Sequence, residues 1–269
     1  MTSGSLPTPA DFVGLQGVLC DIDGTITTAG RLSAAAYGAL ESLQDSGLWV
    51  IPVTGRPAGW CDLIARFWPV DAVVGENGAL YFRYDHQRHR MIRGFARSDA
   101  ERAHDRERLR LIGKEVLRAV PGARIAADQT YRDTDLAIDW CEDVAPLPPD
   151  DVERIVALLR GHGLTVKVSS IHVNAWFGSH DKLAMTRRLM QEQFDVDLDA
   201  ARGRFAFIGD SPNDEPMFAY FPHSFAVANI APFYDSLVHP PAHVIAEAEE
   251  GGGFALFAER VLAARKARA

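Results

Sequence analysis

Two aspartates two positions apart, Asp21 and Asp23, end the mostly apolar run Val13 to Cys20 and are followed at once by Gly24 and Thr25. Acids that close repel each other, so the pair invites a cation. Three more groups of reactive residues lie further along the chain: Thr54-Gly55-Arg56, Lys182, and Gly209-Asp210 with Asn213-Asp214. Together they hold the parts of metal-assisted phosphoryl transfer. A carboxylate can attack phosphorus once the phosphate charge is neutralised. Mg2+ takes hard oxygen ligands and keeps several waters, so two or three carboxylates suffice. The Thr54 hydroxyl and the Gly55 backbone N–H suit phosphoryl oxygens. A lysine supplies a fixed positive charge for the transition state. Read alone, Asp21 to Thr25 is also compatible with a plain turn. A calcium loop is excluded, because counting from Asp21 puts Ile26 at the glycine position and Leu32 at the closing glutamate position.

The elements that carry these groups alternate. Apolar runs with little polar alternation suggest strands buried on both faces, as in a parallel sheet. The runs Val13 to Cys20, Leu48 to Val53, Ala72 to Val74 and Arg204 to Ile208 are of this kind, and each ends in polar, glycine-containing residues. Helices fall between them. Ser33 caps one that runs to about Asp45, and Pro57 opens one carrying Trp60, Leu63, Ile64 and Phe67. The carboxyl ends of such strands are where open α/β sheets place their ligands. From Leu80 the character changes: a polar, basic stretch (85–93) precedes a helix over about 100–120, two strands, a helix from about Pro148, and two more strands. That order reads as a compact α+β module inserted into the first domain. The Gly251-Gly252-Gly253 triplet reads as a flexible break before a last helix from about Phe254.

The stretches Asp21-Ile22-Asp23-Gly24-Thr25, Val53-Thr54-Gly55-Arg56-Pro57, Asp181-Lys182 and Gly209-Asp210-Ser211-Pro212-Asn213-Asp214 resemble the haloacid dehalogenase (HAD) phosphatase superfamily. Their order, the long insertion before Lys182, and Glu76-Asn77-Gly78 are similar to subgroup IIB, which carries an α/β cap. The last stretch, through Phe218, looks most like mannosyl-3-phosphoglycerate and sucrose-phosphate phosphatases. The resemblance implies an α/β fold: a Rossmann-like parallel-sheet core of residues 11–84 and 178–269, with an α+β cap domain of residues 85–177. It implies a Mg2+-dependent phosphatase working through an aspartyl-phosphate. In that scheme Asp21 is the nucleophile and a metal ligand. Asp23 is general acid and then base, its carbonyl also on the metal. Thr54, Gly55 and Lys182 hold phosphate, Asp210 completes the metal site, Asp214 supports it, and Asn213 contacts phosphate or product. A phosphomutase of the same fold is a rival, disfavoured because only Ser211-Pro212 separates Asp210 from Asn213. A non-catalytic phosphometabolite sensor is another, disfavoured because no catalytic aspartate is missing.

The cap is expected to choose the substrate. On the run Ile171 to Phe177, His172, Asn174 and Trp176 share one face by period-two alternation, with Ser170 just before them. Two readings fit that face, a substrate pocket with hydrogen-bond groups for sugar hydroxyls or a solvent-facing sheet surface. Arg132 and Asp139 are further candidates, and Asn77 is one by its place in the subgroup motif. Arg56 fits either a substrate anion or a solvated helix start. His86 and His89 read as solvated, and the arginine-rich segment 102–110 as a solvent face laced with acidic partners.

A length of 269 residues suits one large domain or two small ones, and 47% hydrophobic with 24% charged residues is ordinary for a globular chain. A formal charge of −8 argues against a general nucleic-acid binder. It leaves a small phosphorylated metabolite open as the partner. Cys20, Cys61 and Cys141 show no metal-ligand spacing, which points to a reducing, cytoplasmic setting. The first ten residues read as a loose tail, not a signal peptide, and no run reaches membrane-spanning length. A monomer or small homo-oligomer is expected.

Overall fold

The computed structural model describes residues 8, 12–169 and 171–267. In chain order, β1 (Gly17–Cys20) leads into a small hairpin of β2 (Thr27–Thr28) and β3 (Arg31–Leu32). Helix α1 (Ala34–Asp45), β4 (Trp49–Pro52), α2 (Ala58–Phe67) and β5 (Val73–Gly75) follow. Next come β6 (Leu80–Asp85), β7 (Arg90–Phe95) and the long helix α3 (Asp99–Ala119). The middle of the chain continues with β8 (Arg124–Ile125), β9 (Asp135–Asp139), α4 (Pro149–Gly161), β10 (Thr165–Val168) and β11 (His172–Trp176). It closes with α5 (Lys182–Phe194), α6 (Leu198–Ala201), β12 (Phe205–Gly209), α7 (Glu215–Tyr220), β13 (His223–Val227), β14 (His243–Ile245) and α8 (Glu250–Lys266).

The central sheet runs β14-β13-β12-β1-β4, and every pairing in it is parallel. Its strands are apolar throughout because both faces are covered. Val18 and Cys20 point into one core with Leu40, Phe225, Phe254 and Phe257, while Leu19 points into the other with Ile51, Phe207 and Leu189. The α/β class expected from the sequence is therefore the observed one. Local signals act as expected too: the Ser33 hydroxyl accepts from Ala36 N at the start of α1, and Ser98 with Glu101 forms a capping box on α3.

The second sheet, β10-β11-β9-β8, is antiparallel and packs on α3 and α4 around Leu109, Ile112, Ile138, Ile155 and Val173. This is the inserted α+β unit. Strand β7 runs back along β6 from Asp85–Arg90 to Leu80–Phe95, so this hairpin straddles the expected boundary at residue 85. The polar stretch 85–93 thus holds strand that its composition conceals.

Several expectations need correction. The run Ala72 to Val74 joins the central sheet only through a bridge between Val53 and Val74, its main partner being β6 in antiparallel pairing. Beyond the elements expected, the structure adds β14 after β13 and the β2–β3 hairpin after Asp23. Arg102 and Asp105 are buried, not solvated. Arg102 lies over the Phe95 ring and pairs with Asp99 and Asp133, and Asp105 takes Arg97. The glycine triplet is no flexible break: all three residues lie in the first turn of α8.

Close packing explains the triplet. A Cβ on Gly251 would lie 2.5 Å from the Ile26 carbonyl oxygen, and one on Gly253 2.5 Å from that of Ala248. At Gly252 the nearest neighbour would be 3.8 Å away, an ordinary contact. Gly251→Ala is therefore expected to cost on the order of 2 kcal/mol in chemical denaturation. Gly252→Ala is expected to be neutral or to stabilise by up to about 1 kcal/mol, through helix propensity alone. Equal effects of the two substitutions would refute the packing argument.

Candidate active site

The reactive residues meet at the carboxyl edge of the central sheet. Asp21 follows β1 and is held by its N–H on the Ile208 carbonyl. Thr54 follows β4, and Asp210 follows β12 directly. Lys182 opens α5, whose cap is Asp181, with its carboxylate accepting from Ala184 N at 2.7 Å. Gly78 permits this approach, because a Cβ there would sit on the backbone of Asp181, and its φ of +96° suits glycine.

At the centre, Lys182 Nζ donates to Asp21 Oδ1 at 2.7 Å and to Asp214 Oδ1 at 2.8 Å. All three side chains are buried. Burial pulls the lysine pKa down, yet Asp21 and Asp214 more than offset that, so it is raised overall and the ammonium is retained. Asp214 Oδ2 accepts from Asp210 N at 3.2 Å, which leaves both its oxygens engaged. Carboxylate oxygens of Asp21, Asp210 and Asp214 come within 4.8 Å of one another. Burial drives Asp21 up to about 7 against the pull of Lys182, with the Asp214 and Asp23 charges adding to the rise. Burial, then the Asp21 and Asp214 charges, drives Asp210 up to about 9. Such crowding of hard oxygen donors fits a divalent cation. With Asp214 occupied by Lys182 and Asp210 N, the oxygens best placed for it belong to Asp21 and Asp210.

Asp23 is gripped by Arg56. The guanidinium Nε donates to both Asp23 oxygens at 2.9 Å, and a terminal nitrogen donates to Oδ1 at 2.7 Å. Arg56 also lies 3.5 Å from Glu142 and 3.9 Å from Asp128, and it stacks over Trp60 at 4.5 Å. It is buried and paired, so the solvated reading of Arg56 is overturned. The partners that hold it come from distant parts of the chain.

Thr54 is buried, and its hydroxyl accepts from Arg56 N at 3.0 Å. The Gly55 carbonyl accepts from Arg132 at 3.0 Å. Asn77 takes a left-handed backbone (φ 55°), which asparagine tolerates. Its Nδ2 is buried and meets no hydrogen-bond partner among the described residues. Asn213 and Ser211 complete the core side of the cavity.

The inserted unit closes the other side. His172, Asn174, Arg132 and Ser169 line the same cavity of about 60 Å3 as Asp21, Asp23, Asn77 and Asp210. The solvent-facing reading of this sheet face is thus overturned, and His172 and Asn174 are buried. Trp176, on the same face, stacks on His180 instead, with ring centroids 5.5 Å apart. Ser170 lies outside the described residues. Asp139 serves its own loop, accepting from the backbone N–H groups of Cys141, Glu142 and Asp143.

Three residues given no role in the site from the sequence hold it together. Glu76 is fully buried and accepts from Ala58 N on one side and from Asp133 N, Thr134 N and the Thr134 hydroxyl on the other. It fastens the inserted unit to the core. Asn229 donates to the Gly24 carbonyl at 3.0 Å and to Asp210 Oδ2 at 3.1 Å. Glu142 faces Arg56 and His172. The motif Glu76-Asn77-Gly78 was a signal for the first, while nothing local marks the other two.

Ionising Asp21 and Asp210 together costs the fold. Their folded pKa values lie above the ordinary carboxylate value near 4, so the folded state binds more protons than the unfolded one from about pH 4 to 9. Stability from these groups is full below that window and is lost as pH rises through it. A divalent cation replaces the protons, so its stabilising effect grows with pH. The rise in melting temperature on adding MgCl2 is expected to be larger at pH 8.5 than at pH 6. A rise that is equal or smaller at the higher pH would refute this account of the acidic cluster.

Comparisons with known proteins give the likeness of the whole chain. The family model for haloacid dehalogenase-like hydrolases matches residues 18–106, which include Asp21, Asp23, Thr54 and Glu76. A phosphoglycolate phosphatase from Pyrobaculum neutrophilum is 28% identical over 210 residues, 77% of this chain and 80% of the relative. A solved Thermoplasma acidophilum protein superimposes with a TM-score of 0.70 at 20% identity, covering 92% of this chain and 98% of that one. The sucrose-phosphatase of Synechocystis, solved with sucrose and phosphate, gives a TM-score of 0.63 at 16% identity, covering 92% and 98%. At those identities the two structures speak for the fold. Residues 18–106 thus match the model of haloacid dehalogenase-like hydrolases, a phosphatase is similar along most of the length, and the solved structures share the fold.

Proposed function

We propose that the protein is a Mg2+-dependent phosphatase that hydrolyses a small phosphorylated metabolite, a sugar phosphate or glycosyl phosphate, through an aspartyl-phosphate on Asp21. The observation that carries this reading is the buried contact of Lys182 Nζ with Asp21 Oδ1 at 2.7 Å, beside Asp23 and Asp210 at one sheet edge. Bound at Asp21, Asp210 and the Asp23 carbonyl, with Asp214 behind them, Mg2+ would neutralise phosphate charge.

The chain's own residues do the rest. The phosphoryl group is held by the Thr54 hydroxyl, the Gly55 N–H, Lys182 and Asn213. An Asp21 oxygen attacks phosphorus as the bond to the leaving oxygen breaks, and Asp23 gives that oxygen its proton. Asp23 then takes a proton from water as the water oxygen attacks the phosphoryl-Asp21, which releases phosphate and restores the carboxylate. The Arg56 fork fixes the direction of the Asp23 carboxyl for both transfers. Lys182 keeps its charge throughout, as its double pairing requires.

The four-stranded sheet with α3 and α4 acts as a cap over this centre, and the β6–β7 hairpin serves as its stem. Closed, the cap leaves a cavity of about 60 Å3, which suits a compact leaving group and requires opening for anything as large as a disaccharide. His172, Asn174 and Asn77 offer it hydrogen bonds. A phosphorylated acid such as phosphoglycolate is the second reading, favoured by the name of the Pyrobaculum neutrophilum relative.

Phosphate release with Mg2+ across sugar phosphates, glycosyl phosphates and phosphoglycolate tests the proposal. Turnover is expected for the first two groups. Asp21→Asn is expected to lower kcat by at least about a thousandfold with the melting temperature little changed. No release from any substrate by the folded, metal-loaded protein would favour the sensor. Full activity in Asp21→Asn would refute the nucleophile.

A further inference from the structure

The loop that follows β9 puts an acid where a phosphatase cavity meets its leaving group. Asp139 accepts from Cys141 N at 3.0 Å, Glu142 N at 2.8 Å and Asp143 N at 2.9 Å, a side-chain turn that fixes the loop's path. Glu142 thereby reaches two residues of the cavity wall, Arg56 and His172. One carboxylate oxygen lies 3.5 Å from Arg56 and the other 2.8 Å from His172 Nε2. Its side chain keeps 32% exposure, against 7% for Arg56 and 3% for His172, so it stands at the rim while they stand inside. His172 and Arg56 hold its carboxyl below the usual range.

Among the described residues, the cations around the cavity, Arg56, Arg132 and Lys182, are each answered by acids of the protein itself. Arg132 is bound by Asp128 and Asp135 at 2.9 and 3.0 Å. Arg56 is bound by Asp23 and faced by Glu142. Lys182 is bound by Asp21 and Asp214. The ammonium and a metal at the acidic cluster serve the phosphoryl end. At the leaving-group end a substrate carboxylate would have to displace an internal acid or lie beside one, with the repulsion of like charges in a buried site. A hydroxyl meets no such opposition. Asn77 Nδ2, buried and without a partner among the described residues, is a neutral donor on the cavity wall.

We infer that Glu142 is a specificity determinant: by occupying Arg56 and His172 and adding its own negative charge, it turns the cavity against phosphate esters that bear a carboxylate and toward those of uncharged polyols. This rests on the phosphatase reading and narrows its substrate class. It also separates this chain from the substrate that the Pyrobaculum neutrophilum relative's name carries.

Two phosphonates of equal length, 3-phosphonopropionate and 3-hydroxypropylphosphonate, differ only in a terminal carboxylate or hydroxymethyl group, and neither can be hydrolysed. Their affinities for the full chain with Mg2+ can be read by titration calorimetry. The wild-type protein is expected to bind the hydroxyl compound at least about tenfold more tightly. Glu142→Gln and Glu142→Ala are each expected to shift the ratio at least about tenfold toward the carboxylate, since either removes the negative charge that faces Arg56 and His172. Equal binding of the two compounds by the wild type, or a ratio that neither substitution moves, would overturn the inference. Because the readout needs no turnover, a failure to release phosphate would count against the phosphatase reading alone, and the binding ratio would still report on Glu142.

Discussion

A single buried ammonium holds the carboxyl edge of the central sheet together. Lys182 sits between Asp21 and Asp214, and without it two carboxylates would face each other in the interior with no counter-charge. Removing one member of a buried ionic set leaves the others uncompensated, at a cost of about 3–5 kcal/mol. The fold commits several elements to this contact. β1 delivers Asp21, the turn after β12 delivers Asp214, and α5 starts where Lys182 can reach both. Gly78 belongs to the same commitment, because only a residue without Cβ lets the Glu76–Gly78 turn lie against the Asp181 backbone. The arrangement remains short of positive charge, as the raised pKa values of Asp21 and Asp210 show. That shortage is what a divalent cation would relieve.

The inserted unit is bound to the core by the same kind of interaction. Glu76 crosses the boundary to three donors on Asp133 and Thr134, and Arg132 crosses it in the opposite direction to the Gly55 carbonyl. Burial raises the Glu76 pKa to about 7, and the Asp135 charge adds to the rise, despite the donors that favour its ionised form. The closed arrangement is therefore fixed by directional polar contacts, which can be exchanged one by one. A large apolar interface would hold the cap more rigidly.

Much of this was legible in the sequence where one residue type answers one physical demand. Strands apolar on both faces marked the parallel sheet, and the polar groups ending them marked its carboxyl edge. Serine caps and proline starts set the helices. What stayed hidden depended on partners remote in sequence. Arg56 has no local acid, and its burial becomes visible only when Asp23, Asp128 and Glu142 arrive from elsewhere. The face of His172 and Asn174 alternates like any half-exposed strand, and nothing local says that the core covers it. The glycine triplet was misread because glycine serves both flexibility and close approach, and only the neighbouring carbonyls of Ile26 and Ala248 decide between them.

The two halves of the site divide the electrostatic work. Phosphate needs positive charge, and in the proposed function Lys182 with a metal at Asp21 and Asp210 would provide it on the core side. The cap side brings His172 and Arg132, and the core's Arg56 reaches it, but each is matched by Glu142, Asp128 or Asp135. On that proposal the protein presents positive charge to the phosphoryl group and a near-neutral, hydrogen-bonding wall to the rest of the substrate. Specificity in such a cavity follows from what the wall refuses as much as from what it binds. The fork of Arg56 on Asp23 links the halves. Any change on the cap side that alters Arg56 also alters the orientation of the Asp23 carboxyl, so if Asp23 handles the leaving-group proton as proposed, selection and proton transfer share one side chain.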